Sequence, residues 1–164
     1  MRQLPHTRSC FVCGEANRLG LNIRFQTNGE IVEAHFTPRA EHAGFQSVVH
    51  GGITATLLDE IMVWACAIRT GRFGYCAEMS VRYLHPIRPG EEVIVRGELV
   101  ENRRNKIFEA KGEIRNAANE PLATSTGKYF PLKDSEIPAL FGELIGDTTG
   151  LIGLPKSPSK SGAT

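Results

Sequence analysis

The stretch Ile53 to Ile68, ITATLLDEIMVWACAI, decides the fold. Ala55, Leu57, Leu58, Ile61, Met62, Val63, Trp64, Ala65, Cys66, Ala67 and Ile68 place apolar side chains on almost every face of an α-helix rather than on one stripe. Asp59 and Glu60 interrupt the run, which falls short of the roughly 20 apolar residues a bilayer-spanning helix needs. The segment therefore reads as a core helix, with no membrane span. One sheet covers only one side of such a helix. The other side needs a second layer, which so short a chain supplies most simply with a second copy of itself.

Working outward, strands are expected on both sides. Leu21 to Gln26 and Glu30 to Phe36 flank Thr27-Asn28-Gly29, a hairpin turn signal. After the helix come Cys76 to Leu84, Glu92 to Glu101, Ile107 to Asn116 and Leu122 to Phe130, separated by Arg88-Pro89-Gly90, Arg103-Arg104-Asn105 and Ala118-Asn119-Glu120-Pro121. Two strands, a long helix and four more strands make an α+β single domain, an antiparallel sheet curled around a central helix, over residues 21–133. Residues 1–20 form an N-terminal strap with a Cys-x-x-Cys. Residues 134–164 form a C-terminal extension, with a short amphipathic helix within Ile137 to Ile145 and a tail of disordered composition from Gly153.

Composition narrows the function. The chain has 164 residues, 41% of them hydrophobic, which suits one core and not two. Nineteen Lys plus Arg against eighteen Asp plus Glu leave a net charge of +1, too little to hold a polyanion nonspecifically, so nucleic acid is not an expected partner. Four cysteines in a chain this rich in core residues are expected reduced. Met1 to Ser9 shows no signal or transit pattern, so a cytoplasmic protein is expected.

Val48-Val49-His50-Gly51-Gly52, with Asp59 nine positions after His50, resembles the helix entry of hotdog-fold acyl-CoA thioesterases of the phenylacetate-pathway and THEM type. Cys10-Phe11-Val12-Cys13-Gly14 leading to Leu19-Gly20-Leu21, the stretch Glu41 to Gln46, and Val81 to Gly90 are similar to family segments in the same order. The likeness covers roughly residues 10 to 130. It implies a helix wrapped by a strongly curved antiparallel sheet, an acyl-CoA substrate, no cofactor, and a homodimer, or a tetramer, with two active sites at the dimer interface.

The residues themselves suit that chemistry. Thioester hydrolysis needs donors aimed at the oxygen that gains charge and a base or nucleophile to bring in oxygen. The first amides of a helix are unpaired and lie at the positive end of its dipole, and Gly51 and Gly52 let a carbonyl approach them. Asp59 is the base or nucleophile, with Glu60 beside it as a rival of similar access to the substrate. Eight residues separate Gly51 from Asp59, roughly 12 Å along a helix, whereas reacting atoms must come within about 3.5 Å. The two groups must then come from different chains, on antiparallel helices. His50 positions the turn. Many relatives carry an Asn or Gln six positions before the histidine; here Gly44 stands there and the amide lies at Gln46, which is a candidate for orienting water or thioester. His42 reads as a surface histidine.

Arg103, Arg104 and Lys106 are the one concentrated basic spot and suit the phosphates of coenzyme A. Cys10 and Cys13 form a lone pair. A closed zinc site needs two more ligands, and His6 and His35 complete no second pair at ligand spacing, so no metal is expected. Cys66 and Cys76 read as small buried residues, and Trp64, Phe73 and Tyr75 as contributors to the acyl pocket. Two other functions stay open: a noncatalytic acyl-CoA-binding or sensing protein, and a hotdog dehydratase. The dehydratase histidine-to-carboxylate spacing fails here, since fourteen residues after His42 stands Thr56.

Overall fold

The central helix α1 runs over Gly51–Thr70, longer at both ends than the apolar stretch alone. In the computed structural model, which describes residues 1–151, His50 caps its N-terminus and Gly71 ends it with a left-handed φ of 76°. That is the conformation glycine adopts without a Cβ penalty. At 20 residues α1 is long and apolar enough to cross a membrane, so length does not separate it from a span. Wrapping does: Leu57, Leu58, Ile61, Met62, Trp64, Ala65, Cys66 and Ala67 are buried within the domain.

Around α1 lie the strands β1 (Arg2–Gln3), β3 (Phe25–Thr27), β4 (Ile31–Phe36), β5 (Gly74–Tyr83), β6 (Val93–Arg103), β7 (Ile107–Asn116) and β8 (Pro121–Pro131), antiparallel in the order β1-β3-β4-β6-β7-β8-β5. Alternate residues of β6 to β8, among them Val93, Val95, Phe108, Ala110, Ile114, Ala123 and Tyr129, turn inward onto the helix. Gly97 allows the closest approach, since a Cβ there would lie 2.7 Å from the Ile61 carbonyl oxygen. Asn28 Oδ1 closes the β3–β4 hairpin by accepting from the Glu30 and Ile31 N–H groups.

The expected strand from Leu21 shrinks to Phe25–Thr27. The Leu21 and Ile23 N–H groups donate to the Phe11 and Val12 carbonyls instead, so these residues seat the N-terminal cysteine turn. The two terminal segments also meet. β2 (His6–Thr7) pairs with β9 (Leu144–Ile145), which follows the short helix α2 (Ile137–Glu143). The expected disordered tail from Gly153 lies outside the described residues.

β5 sits at the open edge of the sheet, bonded to β8 on one side only. Ten residues of unpaired strand edge invite pairing with another chain. On α1, Gly52, Thr56, Asp59 and Val63 share one helical face, with Gly52 exposed and the other three only partly buried.

Candidate active site

The loop before α1 is fixed by backbone bonds: Gly44 N–H to Val48 O, Val49 N–H to Ile87 O and His50 N–H to His42 O, each 2.8 Å. His42 is therefore no surface histidine. It is buried, its ring stacked on Phe36 at 5.5 Å and its Nδ1 accepting from the Arg39 N–H at 3.0 Å. Burial, with the Arg39 charge adding to it, lowers its pKa. A side chain at Gly44 would press on the His50 Cα from 3.3 Å, so the tight turn leaves little room there for an amide like that of the relatives.

Between this loop, the first turn of α1 and the ends of β5 and β8 lies a cleft of about 460 Å³. Phe45, Val49, His50, Gly51, Tyr83 and Ile87 are among its lining residues. His50 Nδ1 accepts the Gly52 N–H at 2.8 Å, so the Gly52 amide is already engaged as part of the helix cap. Tyr83 donates its hydroxyl to the Gly51 carbonyl at 3.0 Å. The Gly51 N–H meets no acceptor among the described residues and opens on the cleft at the positive end of α1.

Among the described residues, no carboxylate lines this cleft. Asp59 sits two turns further along α1, half-buried, its Oδ1 accepting from the Tyr129 hydroxyl at 3.1 Å and its side chain near Cys76 on β5. Burial and the Asp59 charge push the Tyr129 hydroxyl up, which keeps it a donor. Cys76, expected to be buried, is exposed because the strand order leaves β5 at the edge.

Glu60 does not line the cleft. It faces the N-terminal turn, where its Oε1 accepts from Trp64 Nε1 at 3.2 Å and from the thiols of Cys10 at 3.7 Å and Cys13 at 3.6 Å. Burial first, and then the charge on Cys10, push its pKa up to about 8. Contact with Cys13 first, with the Val12 N–H at 3.2 Å adding to it, lowers the Cys10 pKa, and contact with Cys10 and burial raise that of Cys13. Among the described residues, the ligand atoms of Cys10, Cys13 and Glu60 all lie within 4.8 Å of one another.

Gln46 lies in an exposed turn with a left-handed φ of 50°, outside the cleft lining. In the basic spot, Arg103 is engaged by Glu101 at 3.1 Å and Glu109 at 2.8 Å, while Arg104 and Lys106 stand exposed with no ion pair among the described residues. Their turn closes the β6–β7 hairpin at the Asp59 end of the sheet, where Phe108 registers with Tyr129. Trp64 and Phe73 pack edge to face in the core, and Tyr75 is exposed and donates to Glu136, so none of the three lines the cleft. A larger groove of about 610 Å³ crosses the outer sheet face among Arg96, Lys111 and Glu113, but it touches neither Gly51 nor Asp59.

The Thioesterase superfamily model matches residues 46–122, which spans both Gly51 and Asp59. Acyl-coenzyme A thioesterase 13 of Homo sapiens is 28% identical over 85 residues, 51% of this chain and 60% of that protein. The mouse counterpart is 31% identical over 70 residues, 42% of this chain and 49% of that protein. The chain thus spans about 60% or less of the length of the curated relatives it matches. Among solved structures, a thioesterase superfamily protein of 27% identity superposes with a TM-score of 0.70 over 74% of this chain and 63% of the other. The Escherichia coli PaaI protein from the phenylacetic acid degradation operon does so at 0.63 with 19% identity, over 69% and 81%. A Streptococcus mutans protein bound to acetyl CoA reaches 0.63 with 20% identity, over 68% and 89%.

Proposed function

We propose that residues 46–122, which the Thioesterase superfamily model matches, form the core of a hotdog thioesterase, and that the protein hydrolyses an acyl-CoA thioester to the free acid and coenzyme A. The observation that carries this reading is the free Gly51 amide over a cleft that holds no carboxylate. Such a cleft polarises a carbonyl but has no base of its own, and Asp59 lies two turns further along the same helix. Two copies, joined along the open β5 edge with their α1 helices antiparallel, bring each Asp59 to the other copy's Gly51.

In that dimer the thioester oxygen takes the Gly51 N–H bond as it gains charge. Asp59 of the second copy either removes the proton of the attacking water or attacks the carbonyl carbon itself. Collapse of the tetrahedral adduct breaks the carbon–sulfur bond and expels the coenzyme A thiolate. In the water route the proton held by Asp59 then passes to the thiolate; in the covalent route water hydrolyses the acyl–Asp59 anhydride to the free acid and regenerates the carboxylate. Tyr129 holds the Asp59 carboxylate in place. His50 shapes the helix entry, and Arg104 and Lys106 offer their charges to the coenzyme A phosphates.

Thiol release from a panel of acyl-CoAs, with the wild type beside Asp59→Asn, tests this. Turnover by the wild type that the variant loses is expected. Full turnover by Asp59→Asn overturns the assignment of Asp59, and stoichiometric acyl-CoA binding without turnover by the wild type makes the protein a sensor.

A further inference from the structure

Cys10, Cys13 and Glu60 come together from two elements distant in sequence, and their ligand atoms all lie within 4.8 Å of one another. The cysteines occupy a tight turn in which Gly14 N–H bonds back to Cys10 O at 2.9 Å, and a Cβ at Gly14 would fall 2.3 Å from that oxygen. Backbone N–H groups point at both sulfurs, Val12 to Cys10 Sγ at 3.2 Å and Thr7 to Cys13 Sγ at 3.4 Å. Such bonds stabilise thiolates, the form in which cysteine binds metal. Glu60 faces them from α1, and no cationic side chain among the described residues pairs with it. Three acidic groups thus share one partly buried pocket with no positive partner.

We propose that Cys10, Cys13 and Glu60 bind a zinc ion, which clamps the N-terminal turn onto the central helix beside Asp59. The spacing suits it. Tetrahedral zinc, with Zn–S of about 2.3 Å and Zn–O of about 2.0–2.2 Å, sets a thiolate sulfur and a carboxylate oxygen about 3.5–3.7 Å apart. Glu60 Oε1 lies 3.7 Å from Cys10 Sγ and 3.6 Å from Cys13 Sγ. Two thiolates select zinc over magnesium or calcium. Trp64 Nε1 holds the same carboxylate oxygen, supporting its orientation from outside the ligand set. Zinc binding releases to solvent whatever protons the two thiols and the Glu60 carboxyl hold, and water completes the fourth position. The sequence offers no second ligand pair at metal-binding spacing, but the fold supplies the third ligand from a helix fifty residues away.

The test uses the full chain, reduced and stripped with chelator. Cobalt(II) titration is expected to give a sulfur-to-metal charge-transfer band that zinc abolishes, with about one zinc retained per chain after desalting. Zinc is also expected to shield Cys10 and Cys13 from alkylation, a readout that needs no variant to fold and no enzymatic turnover. Glu60→Gln is expected to weaken zinc by about tenfold or more. Full alkylation of Cys10 and Cys13 in excess zinc, or unchanged zinc content in a Cys10→Ser, Cys13→Ser double variant, overturns the site.

Discussion

The Tyr129 hydroxyl reaches from β8 to donate to Asp59 Oδ1 at 3.1 Å, so the sheet fixes the one carboxylate on which the proposed chemistry depends. Tyr129→Phe keeps the ring, which is fully buried, and removes only the donor. A hydrogen bond to a charged group contributes about 1.5–3 kcal/mol, so kcat is expected to fall about tenfold or more with KM little changed. Steady-state kinetics on one acyl-CoA substrate checks this; a raised KM with unaltered kcat would place Tyr129 in binding instead.

His50 caps α1 through its ring nitrogen, not through a hydroxyl or carboxylate. His50→Ala leaves the Gly52 N–H without its acceptor and is expected to cost about 1 kcal/mol. His50→Asn, whose side-chain oxygen accepts the same bond, is expected to recover most of that loss. Urea denaturation midpoints of the three proteins decide the matter.

Gly97 is where sheet and helix touch most closely. Gly97→Ala drives a Cβ against the Ile61 carbonyl, a backbone atom that no rotamer change can move. Overpacking of this kind costs about 1–3 kcal/mol, and the same unfolding measurement is expected to show it.

His42 gives the fold a pH dependence. Burial and Arg39 lower its folded pKa below the 6.5 of the unfolded chain, with Glu41 opposing them. The unfolded chain therefore binds the proton first as pH falls. The stability contributed by the neutral ring is present above 6.5 and is lost as pH drops toward the folded value. Unfolding free energy of the wild type is expected to decline over that window, and His42→Gln to decline less. Equal slopes would show that His42 does not carry the effect.

Much of this was legible in the sequence. The all-round apolar character of Ile53 to Ile68 foretold both the wrapping sheet and a face left for another layer. His50-Gly51-Gly52 foretold a helix entry with a free amide. What stayed hidden depends on strand order and on distant contacts. Tyr83 and Tyr129 reach α1 only because β5 and β8 pair with a particular register, although Tyr129 does alternate with the inward-facing residues of its strand. Cys76 is exposed because β5 is an edge, which its composition does not reveal. Glu60 reads as Asp59's rival in a linear chain, yet a helix turns neighbouring residues about 100° apart, toward different partners. His42 looks like any loop histidine until Phe36 stacks on it.

The central claim is that Gly51 of one copy works with Asp59 of another, and a mixed dimer tests it most directly. Gly51 is the first helical residue, where proline is tolerated, and His50 already has the extended φ of −56° and ψ of 132° that precede proline. Gly51→Pro therefore removes the amide hydrogen and spares the helix. Each variant alone, Gly51→Pro or Asp59→Asn, is expected to be inactive. A purified heterodimer of the two retains one intact site of its two, and is expected to recover about half the wild-type turnover per dimer. A verified heterodimer as inactive as either parent would contradict the shared site.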